Sequence, residues 1–96
     1  MKTLEESRKR IDEIDNEIIK LYEERMHVVK DVINYKLMNN IAILDSNRES
    51  KMLKNNLNKI KDNDLKCYYI DVLKGFLIAS KDMQKDILDS YNNKDK

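Results

Sequence analysis

The feature that most constrains this chain is a stretch from Leu4 to about Leu37 that contains neither glycine nor proline. Within it, apolar side chains recur with the three-and-four spacing of a helix that packs on other helices; they are Leu4, Ile11, Ile14, Ile18, Leu21, Val28 and Val32. A helix of this length rises roughly 50 Å, which exceeds the width of a compact domain of this size. A single chain cannot cover such a helix. We therefore predict an intertwined homodimer in which two copies lay their long helices antiparallel.

Composition favours an all-α fold with one domain over residues 1–96. The chain has one glycine and no proline, so the turn chemistry of an all-β fold is missing. Charged residues make up 39% of the chain, yet the formal net charge is only +1. Such a balance gives no strong field of one sign, which argues against nucleic acid as a partner.

The rare residue types exclude several further classes of site. Cys67 is the only cysteine and His27 the only histidine, which rules out an intrachain disulfide and disfavours a metal centre. We predict no metal and no cofactor. The charged first residues do not resemble a secretory signal, and no apolar run approaches membrane-spanning length. The prediction is a cytoplasmic protein with no membrane partner.

Periodicity and capping residues predict three helices. The first, very long helix covers residues 3–38 and ends near Asn39 and Asn40, which tolerate helix-terminating conformations. The short apolar segment 41–44 is predicted to be an extended connector. A short second helix begins around Asp45 or Ser46 and runs to about Lys61, with a thin apolar face.

The predicted third helix is of medium length and runs from Leu65 to about Leu88, after a turn capped by Asn63 or Asp64. Gly75 lies inside it, at a cost of about 1 kcal/mol against alanine, which suggests the close approach of a neighbour. The ordered core is expected over about residues 4–88, with a frayed tail over 89–96. The apolar stripe predicted for this helix comprises Leu65, Tyr69, Val72, Phe76, Ala79, Met83 and Ile87.

Two cations interrupt the apolar face of the first helix. Arg25 falls where the pattern requires leucine or isoleucine, and a guanidinium there is costly unless an anion meets it. Lys36 lies nearly three turns further on and projects from the same side, about 16 Å away along the axis. The alternative is that both aliphatic stems lie at the core edge while the charged groups reach water. That alternative is the stronger one for Lys36, and for Arg25 the two are evenly matched.

For other polar residues too, the sequence leaves open whether the side chain faces a ligand or solvent. Ser80 and Gln84 are one turn apart on the third helix and face either solvent or an enclosed ligand. Glu49 fits a capping box begun by Ser46, Asp45 fits a cap or pre-cap residue, and Arg48 fits a solvated position. No pair of groups stands out for acid–base or covalent chemistry, so an enzyme built from these parts must work by positioning charge.

Taken in order and spacing, these residues resemble the pattern of the all-helical class of chorismate mutases. The resemblance is carried by Arg8, Arg25, Lys36, the run Asp45-Ser46-Asn47-Arg48-Glu49, Ser80 and Gln84, and by the opening Arg8-Lys9-Arg10-Ile11-Asp12-Glu13-Ile14-Asp15. It covers nearly the whole chain and implies an isomerase that converts chorismate, a small dianion, to prephenate. That reaction is a Claisen rearrangement, which needs no cofactor and no proton transfer.

The resemblance also implies residue roles. Arg8 and Arg25 would each bind a substrate carboxylate, with Arg48 supporting and Ser80 helping to seat a carboxylate. Lys36 and Gln84 would donate to the ether oxygen, and Glu49, with the backbone near Asp45, would hold the ring hydroxyl. Along a straight helix Arg8 and Arg25 are about 25 Å apart, so the antiparallel dimer is expected to contribute Arg8 to each pocket from the partner chain.

Three other functions compete with this one. A lyase of the same fold that removes pyruvate from isochorismate would use a similar cationic pocket, although the run from Asp45 to Glu49 favours the mutase. A non-catalytic helical dimerisation module should tolerate leucine in place of Arg25. A helix-turn-helix DNA binder is disfavoured by the charge balance and by the length of the first helix.

Overall fold

The computed structural model describes residues 2–43 and 46–94. Three α-helices follow one another in this part of the chain: α1 spans Leu4–Met38, α2 spans Ser46–Lys59 and α3 spans Lys66–Lys94. A short 3-10 helix over Asn63–Leu65 precedes α3. The predicted all-α class is confirmed. Leu44, at the end of the predicted connector, and Asp45, at the predicted start of the second helix, lie outside the described residues.

Both ends of α1 are fixed by local hydrogen bonds, and the end near Asn39 and Asn40 agrees with the prediction. At the start, the hydroxyl of Thr3 accepts a hydrogen bond from the backbone N–H of Glu6 at 3.1 Å. At the other end, Asn40 adopts a positive φ of 55°, and the N–H of Ile41 donates to the carbonyl of Lys36 at 2.9 Å. This is the Schellman arrangement that closes many helices. The helix therefore ends at Met38, two residues after Lys36, and the connector returns close enough for the Ile43 carbonyl to accept from Lys36.

Helix α3 packs against both α1 and α2 and holds the small core together. The two most buried side chains are Ile33 on α1 and Leu73 on α3, each 3% exposed. Between α2 and α3, the amide of Asn56 donates to the hydroxyl of Tyr69 at 2.9 Å. The chain is long and narrow: its radius of gyration is 17.4 Å, against about 12 Å for a compact domain of this length.

Three sequence-based expectations need correction. Asp62 caps the 3-10 helix, its carboxylate accepting from the N–H of Asp64 at 3.0 Å, in place of the predicted Asn63 or Asp64. Helix α3 continues to Lys94 and does not end near Leu88, so most of the predicted tail is helical. Gly75 has no close neighbour, because a Cβ built on it would meet nothing within 4 Å.

The predicted inner face of α3 is partly wrong as well. Leu65 and Val72 are more than half exposed, whereas Leu73 is buried. The difference arises because α3 packs between two helices, and the side that faces both of them is broader than the stripe and rotated from it.

The first half of α1 projects away from this core. Its apolar seam from Leu4 through Ile18 to Leu21 is exposed over its whole length. Contiguous exposure of this extent is typical of an interaction surface. Among the described residues, no helix is long and apolar enough to cross a membrane.

Candidate active site

A cavity of about 500 Å³ lies where the second half of α1 meets α2 and α3. Six of the eight side chains predicted for a site line it: Arg25, Lys36, Arg48, Glu49, Ser80 and Gln84. Its apolar wall is formed mainly by Leu21, Val28, Val29, Val32, Ile33, Ile43, Met52 and Leu77. Mostly apolar walls with a few convergent polar groups are typical of a small-molecule site.

Arg25 points into this cavity and is held from α3. Its Nη1 donates to the hydroxyl of Ser80 at 3.0 Å, and its Cζ lies 5.2 Å from the centre of the Phe76 ring. The residue is half-buried. The alternative that its charged group simply reaches into water is therefore wrong.

Lys36 occupies the other end of the cavity, next to the terminus of α1. Its ammonium donates to the carbonyl of Ile43 at 3.3 Å, and its own carbonyl accepts the N–H that closes the helix. An ammonium has three donors, so two remain for other acceptors. The connector therefore anchors Lys36 by a backbone contact.

Helix α2 contributes Arg48 and Glu49 to the opposite wall. Glu49 is half-buried, and its Oε1 lies 3.5 Å from the ammonium of Lys81 on α3. Arg48 lines the cavity from the exposed side of α2. The two residues are neighbours in sequence and present opposite charges to the same space.

Ser80 and Gln84 lie one turn apart on α3, and both are half-buried and line the cavity. The hydroxyl of Ser80 donates to the carbonyl of Phe76 at 2.9 Å while it accepts from Arg25. Its proton is thus directed back into the helix, and its lone pairs face the guanidinium. Ser80 is thus engaged by Arg25 and by Phe76, and Gln84 lines the cavity one turn away.

Among the predicted residues that the structure describes, Arg8 is not part of this cavity. Arg8 lies on the exposed first half of α1, beside Leu4, Glu5, Lys9 and Asp12, about 25 Å along the helix from Arg25. Asp45 lies outside the described residues. Within one chain, therefore, Arg8 does not reach the other candidates.

Sequence reasoning missed two contacts of the site. Phe76 was predicted as a member of the core stripe, and its ring against Arg25 depends on how α3 packs on α1. Lys81 carries no signal in the sequence, because its partner Glu49 is on another helix.

The cavity places cationic, amide and hydroxyl groups against an apolar wall. Comparison with known proteins identifies the family to which a chain with this cavity belongs. Residues 7–85 match the family described as chorismate mutase type II. The chain belongs to the chorismate mutase type II family.

Two relatives agree with this assignment to the chorismate mutases. The chain is 37% identical over 95 residues to a chorismate mutase of Methanocaldococcus jannaschii, covering 97% of this chain and 95% of that protein. It is 38% identical over 90 residues to a bifunctional chorismate mutase/prephenate dehydratase of Buchnera aphidicola, where the match spans 93% of this chain but 23% of that protein. No solved structure matches this chain. Its family membership makes it an isomerase.

Proposed function

We propose that the chain rearranges chorismate to prephenate in the cavity between α1, α2 and α3, and that a second copy of the chain completes the cavity. The observation that carries the proposal is the convergence of Arg25, Lys36 and Gln84 on one space of about 500 Å³. Such a space suits a small dianion enclosed on most sides. The steps below assign a role to each group.

The substrate carboxylates would be bound by arginines. Arg25 uses one N–H for Ser80, and a guanidinium carries five, so others can receive a carboxylate in the bidentate geometry that this pair prefers. Ser80 and Arg48 would support the same end of the ligand. Glu49 would accept from the ring hydroxyl of chorismate, and the supporting role predicted for the backbone near Asp45 lies outside the described residues.

Catalysis would follow from fixed donors and from confinement. Negative charge gathers on the ether oxygen as its C–O bond breaks, and Lys36 and Gln84 would donate to that oxygen. Donors that are already in place stabilise such charge without reorganising during the reaction. The apolar wall would hold the enolpyruvyl arm over the ring in a compact chair, which removes unproductive conformers. No proton is transferred in this scheme.

Charge balance supports a contribution from a partner chain. Among the described residues that line the cavity, Arg25, Lys36 and Arg48 stand against Glu24 and Glu49, so three cations and two carboxylates leave one net positive charge. This charge neutralises a dianion only in part. An arginine donated by the partner would be the third arginine at the cavity and would bring this balance to two positive charges, which matches the ligand.

The exposed surface indicates where the partner would lie. Leu21 and Val28 line the cavity and are nevertheless 64% and 54% exposed, so the chain leaves this side uncovered. The same seam continues along the exposed half of α1 to Leu4. In an antiparallel pair with its two-fold axis near Ile18 and Ile19, Arg8 of one chain would approach the stretch between Arg25 and Lys36 of the other.

The test is a direct assay of chorismate loss and prephenate formation by the purified protein. Arg25→Ala should lower kcat/KM by roughly 100-fold or more, because a charge-assisted carboxylate contact is lost. Arg10→Ala is a matched control: Arg10 is on the same helix, but it is exposed and paired with Glu13 at 3.0 Å. Equal activities of the two variants would overturn the proposal. Parallel assays with isochorismate, scored for pyruvate, test the lyase alternative.

A further inference from the structure

Phe76 acts on Arg25 directly through its ring and indirectly through Ser80, although neither its type nor its position points to a site. The face of its ring lies 5.2 Å from the guanidinium carbon. Its backbone carbonyl accepts the hydroxyl of Ser80, which in turn accepts from Arg25 Nη1. Ring and hydroxyl therefore hold the same guanidinium from one helix face, because Phe76 and Ser80 are one turn apart on α3.

A guanidinium held in this way is already ordered before a ligand binds, whereas one that is only close to a pocket still has to be ordered. An arginine side chain has several rotatable bonds, and binding is weakened when these must be ordered at the moment of association. A ring face attracts the cation electrostatically, and the attraction grows as water is excluded. At the half-buried position of Arg25, ring and hydroxyl together fix the orientation of the guanidinium before the ligand arrives.

We propose that Phe76 is a positioning residue, whose aromatic ring orients Arg25 to receive a substrate carboxylate. This inference rests on the proposed function of Arg25 as a carboxylate ligand. Since Arg25 would bind the carboxylate equally in the ground state and the transition state, loss of its orientation raises KM and leaves kcat nearly unchanged. If Phe76 only fills the core, its replacement is not expected to raise KM while leaving kcat unchanged.

The chain offers an unusually direct test of the ring. Phe76 is the only phenylalanine and Cys67 the only cysteine, so a synthetic peptide of residues 67–96 can be ligated to residues 1–66 at the natural cysteine. In this peptide, Phe76 is replaced with phenylalanine analogues that carry one, two and three ring fluorines. Fluorine withdraws negative charge from the ring face while the shape of the ring is nearly kept, so the cation–π attraction falls stepwise.

The expected result is a stepwise rise of the KM for chorismate, about three- to tenfold across the series, with kcat within twofold. Fluorination makes the ring more apolar, so a purely packing role predicts no loss of binding. The control is the same fluorinated series in place of Tyr68, which is exposed on the same helix. That control series should leave KM unchanged. Circular dichroism and thermal unfolding confirm that each ligated chain is folded.

A KM that stays constant while Phe76 is fluorinated would overturn the inference, even if Arg25→Ala abolishes activity. A KM that rises equally in the Phe76 and Tyr68 series would overturn it too. If Arg25→Ala itself retains activity, it is the proposed function that fails. A simpler pair of variants provides an independent check: Phe76→Tyr keeps the ring and should preserve KM, whereas Phe76→Leu should raise it.

Discussion

The ammonium of Lys81 on α3 lies 3.5 Å from the carboxylate of Glu49 on α2, at the edge of the cavity. Their side chains are 50% and 32% exposed. Ion pairs with this exposure contribute at most about 1 kcal/mol to stability, because water screens them and two long side chains must be ordered. The contact therefore matters for where the Glu49 carboxylate is held, much more than for the stability of the fold.

Lys81→Met should weaken chorismate binding, because Glu49 is then free to turn away from the position proposed for the ring hydroxyl. We expect a KM about threefold higher, a similar kcat and a loss of stability under about 1 kcal/mol. Lys81→Arg should retain the low KM. Steady-state kinetics and thermal unfolding of the variants measure both effects.

The matched control is Lys85→Met, one turn further along α3, where the side chain is exposed. Raising the ionic strength should also shrink the difference between wild type and Lys81→Met, because salt screens an exposed pair. If Lys81→Met and Lys85→Met behave alike at every salt concentration, the pair has no influence on the site.

Shared pockets predict a specific result when two inactive variants are combined. Arg8→Ala and Arg25→Ala should each be inactive alone. After joint unfolding and refolding of equal amounts, about half of the dimers are mixed and each contains one intact pocket, so about a quarter of wild-type activity should return. Activity after mixing, compared with the separately refolded variants, is the measurement.

A second mixture provides the control for this experiment. Wild type combined with an equal amount of the doubly substituted Arg8→Ala, Arg25→Ala chain should retain about a quarter of the wild-type activity if pockets are shared, but about half if each chain is complete. Absence of recovery in the first mixture, together with one half in the second, would reject the partner contribution of Arg8.

Both ends of α1 and the face that it presents depend on local chemistry, and these were predictable from the sequence. The start of α1 follows from Thr3, which caps the N–H of Glu6, and its end from Asn40, which adopts a positive φ. The side of α1 that carries both Arg25 and Lys36 follows from helical periodicity alone. These features need only neighbours in sequence, so no knowledge of the packing was required.

The Asp62 cap and the end of α3 at Lys94 were missed although they are local, whereas the other features that were missed depend on how the helices meet. Leu73 is buried and Val72 is exposed because α3 packs against two helices at once, and periodicity does not specify that rotation. The contacts of Phe76 with Arg25 and of Lys81 with Glu49 join residues on different helices. Such pairs have no characteristic spacing in the sequence.

Replacement of the glycine in α3 tests whether another chain approaches this helix. Gly75 is exposed, and a Cβ at this position meets nothing within 4 Å. Gly75→Ala should therefore raise the stability by about 1 kcal/mol, which for a domain of this length corresponds to a thermal midpoint about 4–8 °C higher. Thermal unfolding at several protein concentrations measures it. A lower midpoint would mean that a partner backbone approaches Gly75 in the assembled protein.

Arg25→Leu separates catalysis from dimerisation. Leucine fits the apolar seam, so the variant should be at least as stable as wild type, because a half-buried charge is removed. Activity should nevertheless fall by roughly 100-fold or more, since a carboxylate ligand is lost. Kinetics together with thermal unfolding and sedimentation test this. Full activity in a stabilised dimer would instead favour a role for α1 in dimerisation alone.

Because Gln84 is a neutral amide, we expect the reaction rate not to require a protonated acid at this position of the cavity. Gln84 lines the cavity and can donate at any pH, because an amide does not titrate. Gln84→Glu places a carboxyl there, with an ordinary pKa near 4.3. Its protonated form donates to the ether oxygen, whereas its ionised form repels the charge that develops on that oxygen. We therefore expect kcat/KM of the variant to be roughly 100-fold below wild type at pH 7 and to recover as the pH falls towards 4–5. The measurement is the pH–rate profile of both proteins over this range, with circular dichroism at each pH. Parallel profiles would mean that Gln84 takes no part in the reaction.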